Sequence, residues 1–233
     1  MLEKGMATAI VLAAGKGKRM GKGYNKQYIL LRDKPIIVHT LDIFEKSQYI
    51  NDIILVVGKE EVAFVKEEII KKYNFRKISK VIVGGKERQD SVYEGLLVAN
   101  KDCETVLIHD GARPFVEEGM IKNSIAMAEK FGAAIVAVPV KDTIKRANYQ
   151  LEVIDTPERK ELWAVQTPQT FQYILLKKAH DQARKEGILV TDDAMMVERL
   201  GHLVKIVEGS YKNIKITDPQ DIIIAEGILS KEE

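Results

Sequence analysis

The sequence contains a single cysteine, Cys103. One thiol can close no intrachain disulfide and build no cysteine-based zinc cluster, and it suits a reducing compartment. Its expected role is that of a small, half-buried side chain. Long apolar runs are missing as well, and none approaches the roughly 18 residues of a membrane span. Residues 1–5 lead straight into the apolar run 7–14, without the basic region, long apolar stretch and cleavage site of a secretion signal. A soluble, cytoplasmic protein without membrane contact is expected. Charge of one sign is scarce, with a formal net charge of +2. That is too small for a basic face gripping many phosphates, so nucleic acid is not an expected partner. There is no internal repeat, low-complexity tract or linker. The 233 residues, 45% apolar and 30% charged, therefore read as one folded domain with a sizeable core.

What is present is an alternation. Short runs rich in Val and Ile at 8–13, 53–57, 81–83, 106–108 and 133–138 read as strands. Between them, residues 35–46, 60–72, 88–100 and 117–130 carry apolar positions at three- and four-residue spacing and read as helices. The pattern predicts an α/β fold, a mostly parallel sheet with helices on both faces, whose ligand lies beyond the carboxyl ends of the strands. The rhythm then changes. Segments 143–146 and 151–154, around 147–150 with Asn148 near the turn, read as a β-hairpin. Such an arm is marginal alone in water and steadier against a second subunit, so a homodimer is expected. Further on, 171–185 and 194–200 read as helical, 202–207 and 214–216 as extended, and 219–229 as a helix capped by Asp218.

Three loops after strands carry the chemistry. The first runs Ala13-Ala14-Gly15-Lys16-Gly17-Lys18-Arg19-Met20-Gly21, with Lys22 and Lys26 close behind. Glycines admit a phosphate to the backbone, successive amides can form an anion nest, and basic side chains add charge-assisted bonds. It is neither a dinucleotide fingerprint, whose third glycine would replace Met20, nor a G-x-x-x-x-G-K-[ST] loop. The second loop, Gly84-Gly85-Lys86-Glu87-Arg88-Gln89-Asp90-Ser91, combines paired glycines with a hydroxyl in the first turn of a helix. The third, His109-Asp110-Gly111-Ala112-Arg113-Pro114, ends a strand on a carboxylate suited to Mg²⁺, which takes one or two protein carboxylates and otherwise phosphates and water. His109 is expected to be a packed residue rather than a proton shuttle.

These loops, with Lys26-Gln27-Tyr28, Pro139-Val140-Lys141-Asp142-Thr143, Leu162-Trp163, Thr167-Pro168-Gln169, Thr191-Asp192-Asp193 and Asn213-Ile214-Lys215-Ile216-Thr217, occur in an order that resembles the 2-C-methyl-D-erythritol 4-phosphate cytidylyltransferases of the non-mevalonate isoprenoid pathway. The resemblance spans almost the whole chain. It implies one Rossmann-like nucleotidyltransferase domain over residues 1–233 that dimerises through a β-arm at about 140–160. The implied reaction joins CTP to 2-C-methyl-D-erythritol 4-phosphate, giving 4-diphosphocytidyl-2-C-methyl-D-erythritol and pyrophosphate, with Mg²⁺ or another divalent cation as cofactor.

By the same resemblance, Arg19, Lys26 and Lys215 are the catalytic cations around the triphosphate and the attacking phosphate. Ala13, Ala14, Gly15, Gly17 and Gly111 belong to the nucleotide site, Gly85 and Ser91 help hold cytosine, and Asp110 approaches the metal. The acceptor falls to Asp110, Arg113, Thr143, Arg159, Thr167, Thr191 and Lys215, with Thr143 and Arg159 lent by the partner's arm. One departure is visible, since the family often has proline before the catalytic lysine and this chain has Asn25. A ribitol 5-phosphate cytidylyltransferase is the near alternative, although such enzymes tend to have Ala-Gly-Gly and Val-Arg-Pro where this chain has Ala13-Ala14-Gly15 and Ala112-Arg113-Pro114. A nonenzymatic nucleotide-binding module is the remote one, and it has no need of Lys26, Asp110 and Lys215 together.

Overall fold

In a computed structural model that describes residues 5–15 and 25–230, the apolar runs become strands of one twisted sheet. The elements follow in chain order: β1 (Met6–Leu12), β2 (Leu30–Leu31), β3 (Lys34–Pro35), α1 (Ile36–Lys46), β4 (Asp52–Val57), α2 (Val62–Phe64), β5 (Ile78–Val83), α3 (Arg88–Val98), β6 (Cys103–Asp110), α4 (Glu118–Phe131), β7 (Ala133–Pro139), β8 (Arg146–Ala147), β9 (Val153–Asp155), β10 (Trp163–Gln172), α5 (Tyr173–Glu186), α6 (Asp193–Arg199), β11 (Lys205–Glu208) and α7 (Pro219–Leu229). The main sheet has seven strands in the order β11-β7-β10-β6-β1-β4-β5. All its neighbours are parallel except β10, which runs antiparallel to both β6 and β7.

The alternation of side chains along each strand builds two cores. On one face Ala9 and Val11 of β1 and Ile53, Leu55 and Val57 of β4 meet Ile37, Leu41 and Phe44 of α1 and Ile121 of α4. On the other, Ile10, Ile54 and Val56 meet Val92 and Leu96 of α3, Leu176 of α5 and Val197 of α6. Strands buried on both faces read as continuous apolar runs, which is why β1 and β4 are legible from sequence. A third, smaller cluster of Leu31, Ile36, Phe115, Ile216 and Ala225 seats α7 against the β2–β3 ribbon. No helix among the described residues is long and apolar enough to cross a membrane.

Several expectations need correction. Residues 171 and 172 extend β10, so the following helix begins at Tyr173. Residues 214–216 form no strand. Ile216 instead donates its amide to the Ala112 carbonyl at 2.8 Å and buries its side chain beside α7, which satisfies backbone and side chain without a ladder. The helix expected over 60–72 is a 3₁₀ turn, the short α2 and a π-helical stretch Val65–Lys71. The arm pairs only Arg146 with Asp155 and Ala147 with Val153, a shorter ribbon than the sequence suggests.

Candidate functional site

The carboxyl ends of β1, β5 and β6 open together. Between the loops that follow them lies a cavity of about 220 Å³, lined in part by Ala13, Ala14, Gly15, Lys26, Gly85, Ser91, Asp110 and Lys215. Its floor requires a close approach of loops, because a Cβ on Gly84 would lie 2.6 Å from that of Ala14. Ser91 closes its own loop by accepting the Gly85 amide at 3.1 Å and donating to the Glu87 carbonyl at 3.2 Å.

Asp110 is the electrostatic centre. Lys215 Nζ lies 2.8 Å from Oδ2, Arg88 Nε 3.7 Å from Oδ1 and Arg113 Nε 3.8 Å from Oδ2. Burial acts to raise the Asp110 pKa, but Lys215, Arg88 and Arg113 outweigh it and hold the carboxyl well below the usual carboxylate range. Lys26 reaches the same place from 190 residues away and donates to the Ile216 carbonyl at 2.9 Å, so the segment that bears Lys215 also anchors Lys26. Asn25 takes a φ of −66°, inside the range a proline ring enforces. Its side-chain amide donates to Glu61.

Behind the cavity, Thr167 Oγ1 accepts the Asp110 amide at 3.1 Å and lies 3.0 Å from His109 Nδ1, while His109 Nε2 meets the Arg113 carbonyl at 3.1 Å. Arg113 also donates to the Asn213 carbonyl at 2.7 Å. Thr167, expected to touch the acceptor, thus buttresses Asp110 and His109 in this chain. Gly111 lies beneath the lining, where a Cβ would stand 2.6 Å from Ile37 Cδ1 and 3.0 Å from the Leu12 carbonyl oxygen. Thr191 is exposed on the bend before α6, outside the cavity lining. Thr143 and Arg159 are exposed at the arm and are not brought to this chain's cavity; Arg159 donates to the Lys141 carbonyl at 3.0 Å. Gly17 and Arg19 lie outside the described residues. Sequence reasoning gave no role to Arg88 and Gln27, which also line the cavity. The buried Gln27 amide donates to the Ala13 carbonyl. The signal for Arg88 was its place in the first turn after the paired glycines.

His109 is fully buried, and that burial pushes its pKa down to about 4, against the opposing pull of the Arg113 carbonyl and Asp110. The folded protein therefore holds it neutral at pH values where an unfolded chain, with an ordinary value near 6.5, begins to protonate. Its contribution to stability is complete above about pH 6.5 and is lost as pH falls toward about 4, by about 3 kcal/mol in all. Urea titrations between these limits should show His109→Gln with a flatter fall in unfolding free energy than the parent, by close to one proton. An unchanged slope would exclude His109 as the titrating group.

Residues 7–231 match the family described as 2-C-methyl-D-erythritol 4-phosphate cytidylyltransferase. A curated protein of that name from Alkaliphilus oremlandii is 56% identical over 222 residues, which are 95% of this chain and 94% of that protein. Another, from Caldanaerobacter subterraneus, is 47% identical and covers 96% of this chain and 99% of its own. Among solved structures, the 4-diphosphocytidyl-2C-methyl-D-erythritol synthase of Anaerococcus prevotii matches with a TM-score of 0.88 at 32% identity over 98% of both chains. The 2-C-methyl-D-erythritol 4-phosphate cytidylyltransferase of Francisella tularensis matches with a TM-score of 0.81 at 31% identity, over 95% of this chain and 99% of its own.

Proposed function

Because the chain belongs to the 2-C-methyl-D-erythritol 4-phosphate cytidylyltransferase family, we propose that its cavity joins the CMP part of CTP to 2-C-methyl-D-erythritol 4-phosphate and releases pyrophosphate, a step of isoprenoid precursor synthesis in the cytosol. The observation that carries this reading is the convergence of Lys26 and Lys215 on one segment beside the ionised Asp110, at the mouth of a glycine-lined cavity.

The acceptor phosphate has a second pKa of about 6 and is largely a dianion at neutral pH, so its oxygen attacks the α-phosphorus of CTP without a strong general base. The obstacle is repulsion between two anions. Lys215 and Lys26 offset it, and with Arg19 from the first loop they balance the charge that grows on the α-phosphoryl oxygens and on departing pyrophosphate. Gly85 and Ser91 take the base, and Ala13 to Gly15 the phosphates.

The residues present fit a hard divalent ion. Asp110 offers an ionised carboxylate, and no cluster of three or more acidic, His or Cys side chains suited to a caged metal occurs among the described residues. That donor set matches Mg²⁺, which leaves most of its positions to phosphate and water. Asp110 would hold it, and when bound it supplies further neutralisation of the phosphates.

The arm supports a homodimer. Leu151 is 88%, Val153 60% and Ile154 58% exposed, and a ribbon so short and apolar is steadier against a second copy. Thr143 and Arg159 then enter the partner's acceptor site. Pyrophosphate release with CTP and Mg²⁺ tests the whole reading. The methylerythritol phosphate should exceed ribitol 5-phosphate in kcat/KM by roughly tenfold or more. Faster release with ribitol phosphate would reassign the acceptor, and none with either would remove the function.

A further inference from the structure

Arg88 has two carboxylates within reach and divides itself unequally between them. Its Nη1 lies 2.6 Å from Asp193 Oδ2, a hydrogen-bonded ion pair, while its Nε stands 3.7 Å from Asp110 Oδ1, beyond hydrogen-bond range. Asp193 is wholly buried at the start of α6 and is fixed from two further sides. His180 of α5 places Nε2 3.2 Å from its Oδ1, and its backbone amide donates to Gln169 Oε1 of β10 at 3.1 Å. His180 is in turn stacked on Tyr93 of α3, the helix whose first turn carries Arg88, with ring centres 6.1 Å apart. Two more bonds tie that first turn to the segment before α6. Gln89 donates to the Ile188 carbonyl at 3.0 Å and accepts the Val190 amide at 3.1 Å. A carboxylate so closely held, facing a guanidinium that also lines the cavity, is more than a general structural ion pair demands.

A guanidinium beside a lone carboxylate ordinarily closes a two-pronged fork on it. We propose that Asp193, backed by His180, is a positioning residue that captures the Arg88 guanidinium and holds it off Asp110, so that Asp110 Oδ1 stays open to the cavity. Arg88 then adds positive charge to the wall without occupying the oxygen that the reaction needs. The inference rests on the reading of Asp110 as the acidic group of the transferase site, and it adds to that reading a residue which touches neither substrate.

Asp193→Asn removes the charge that captures Arg88 and keeps the shape of the side chain. A crystal structure of this variant should show the guanidinium moved onto Asp110, with the contact shortened from 3.7 Å to about 2.9 Å. Its kcat should fall about tenfold or more, and removing the freed guanidinium as well, in Arg88→Ala/Asp193→Asn, should recover a good part of the loss. A purely structural ion pair would be rescued in part as well, because its members are coupled, so the Arg88–Asp110 distance is what separates the two roles. An Arg88–Asp110 distance that stays near the parental one, or a double variant slower than both singles by their product, overturns the proposal. Should Asp193→Asn fail to fold, His180→Phe carries the test. It removes the ring nitrogen that backs Asp193, so the guanidinium should stand closer to Asp110 in the crystal structure of the variant and kcat should fall severalfold, and a parental Arg88–Asp110 distance overturns the idea. The distance is read independently of turnover, so a parent protein without cytidylyl transfer would fail the functional reading and leave this one still decided.

Discussion

Replacing Lys215 by alanine should lower kcat by about a hundredfold or more while the KM for CTP moves little. Lys215 is carried by the irregular segment between β11 and α7, and among the described residues its ammonium is the cation closest to Asp110, at 2.8 Å. The bland account is an ordinary ion pair, whose loss acts through the charge state of Asp110. Arg88 and Arg113 also depress the Asp110 pKa, so with Lys215 gone two guanidinium groups still favour the ionised carboxyl. A hundredfold loss is then chiefly the loss of the ammonium itself, at the moment when negative charge on the phosphoryl oxygens is greatest. Uniform binding of substrate and transition state would raise KM and spare kcat, and the opposite split marks a group that acts in the transition state. Lys26→Ala should behave alike, because its ammonium is tethered to the carbonyl of Ile216, next to Lys215. The double variant should lose less than the product of the two single losses. Full titrations of both substrates at neutral pH decide the matter. Parental kcat in Lys215→Ala would place the lysine among the structural ion pairs.

The parts of this site that were legible in the sequence share one property, that their chemistry is local. Asp110 sits at the end of an apolar run, Gly84 and Gly85 at the end of another, and a lysine-rich loop follows a third, so the strand-end rule alone gathers them. What escaped depends on partners distant along the chain. The β10 strand is rich in buried Gln and Thr, and the bonds that hold them reach far. Thr170 donates to Ser124 at 2.9 Å, and Gln169 donates to Asp192 at 2.8 Å. Periodicity registers apolar side chains and has no access to such pairs, and the register shift between Val165 and Gln169 erases the alternation that would have marked a strand. Residues 214–216 failed in the opposite direction. Their two isoleucines alternate like a strand, but they pack beneath α7, and the loop conformation is what carries Lys215 to Asp110. Arg88 was visible as a residue and not as a function, because its meaning comes from Asp193, 105 positions on.

Arg159→Ala should raise the acceptor KM by roughly tenfold to a hundredfold and leave the CTP constant nearly unchanged, as the loss of a charged hydrogen-bonding fork from one substrate's phosphate does. Within its own chain Arg159 is exposed and donates to the Lys141 carbonyl, a setting in which substitution ordinarily costs little. A large effect therefore requires a second subunit. Subunit mixing makes that requirement testable. In a two-fold dimer with exchanged arms, each pocket combines one chain's Lys26 with the other chain's Arg159. A heterodimer of Lys26→Ala and Arg159→Ala chains then has one pocket with both defects and one pocket with neither. Random exchange makes half of all dimers mixed, so total activity should climb to about a quarter of that of the unsubstituted protein, although both variant homodimers are nearly inactive at low acceptor concentration. If Arg159 serves its own chain, every pocket keeps one defect and mixing gains nothing. Native mass spectrometry of the same sample counts the heterodimers, so a flat activity in their presence rules out the shared site, and a rise in step with their number shows that each active site is built by two chains.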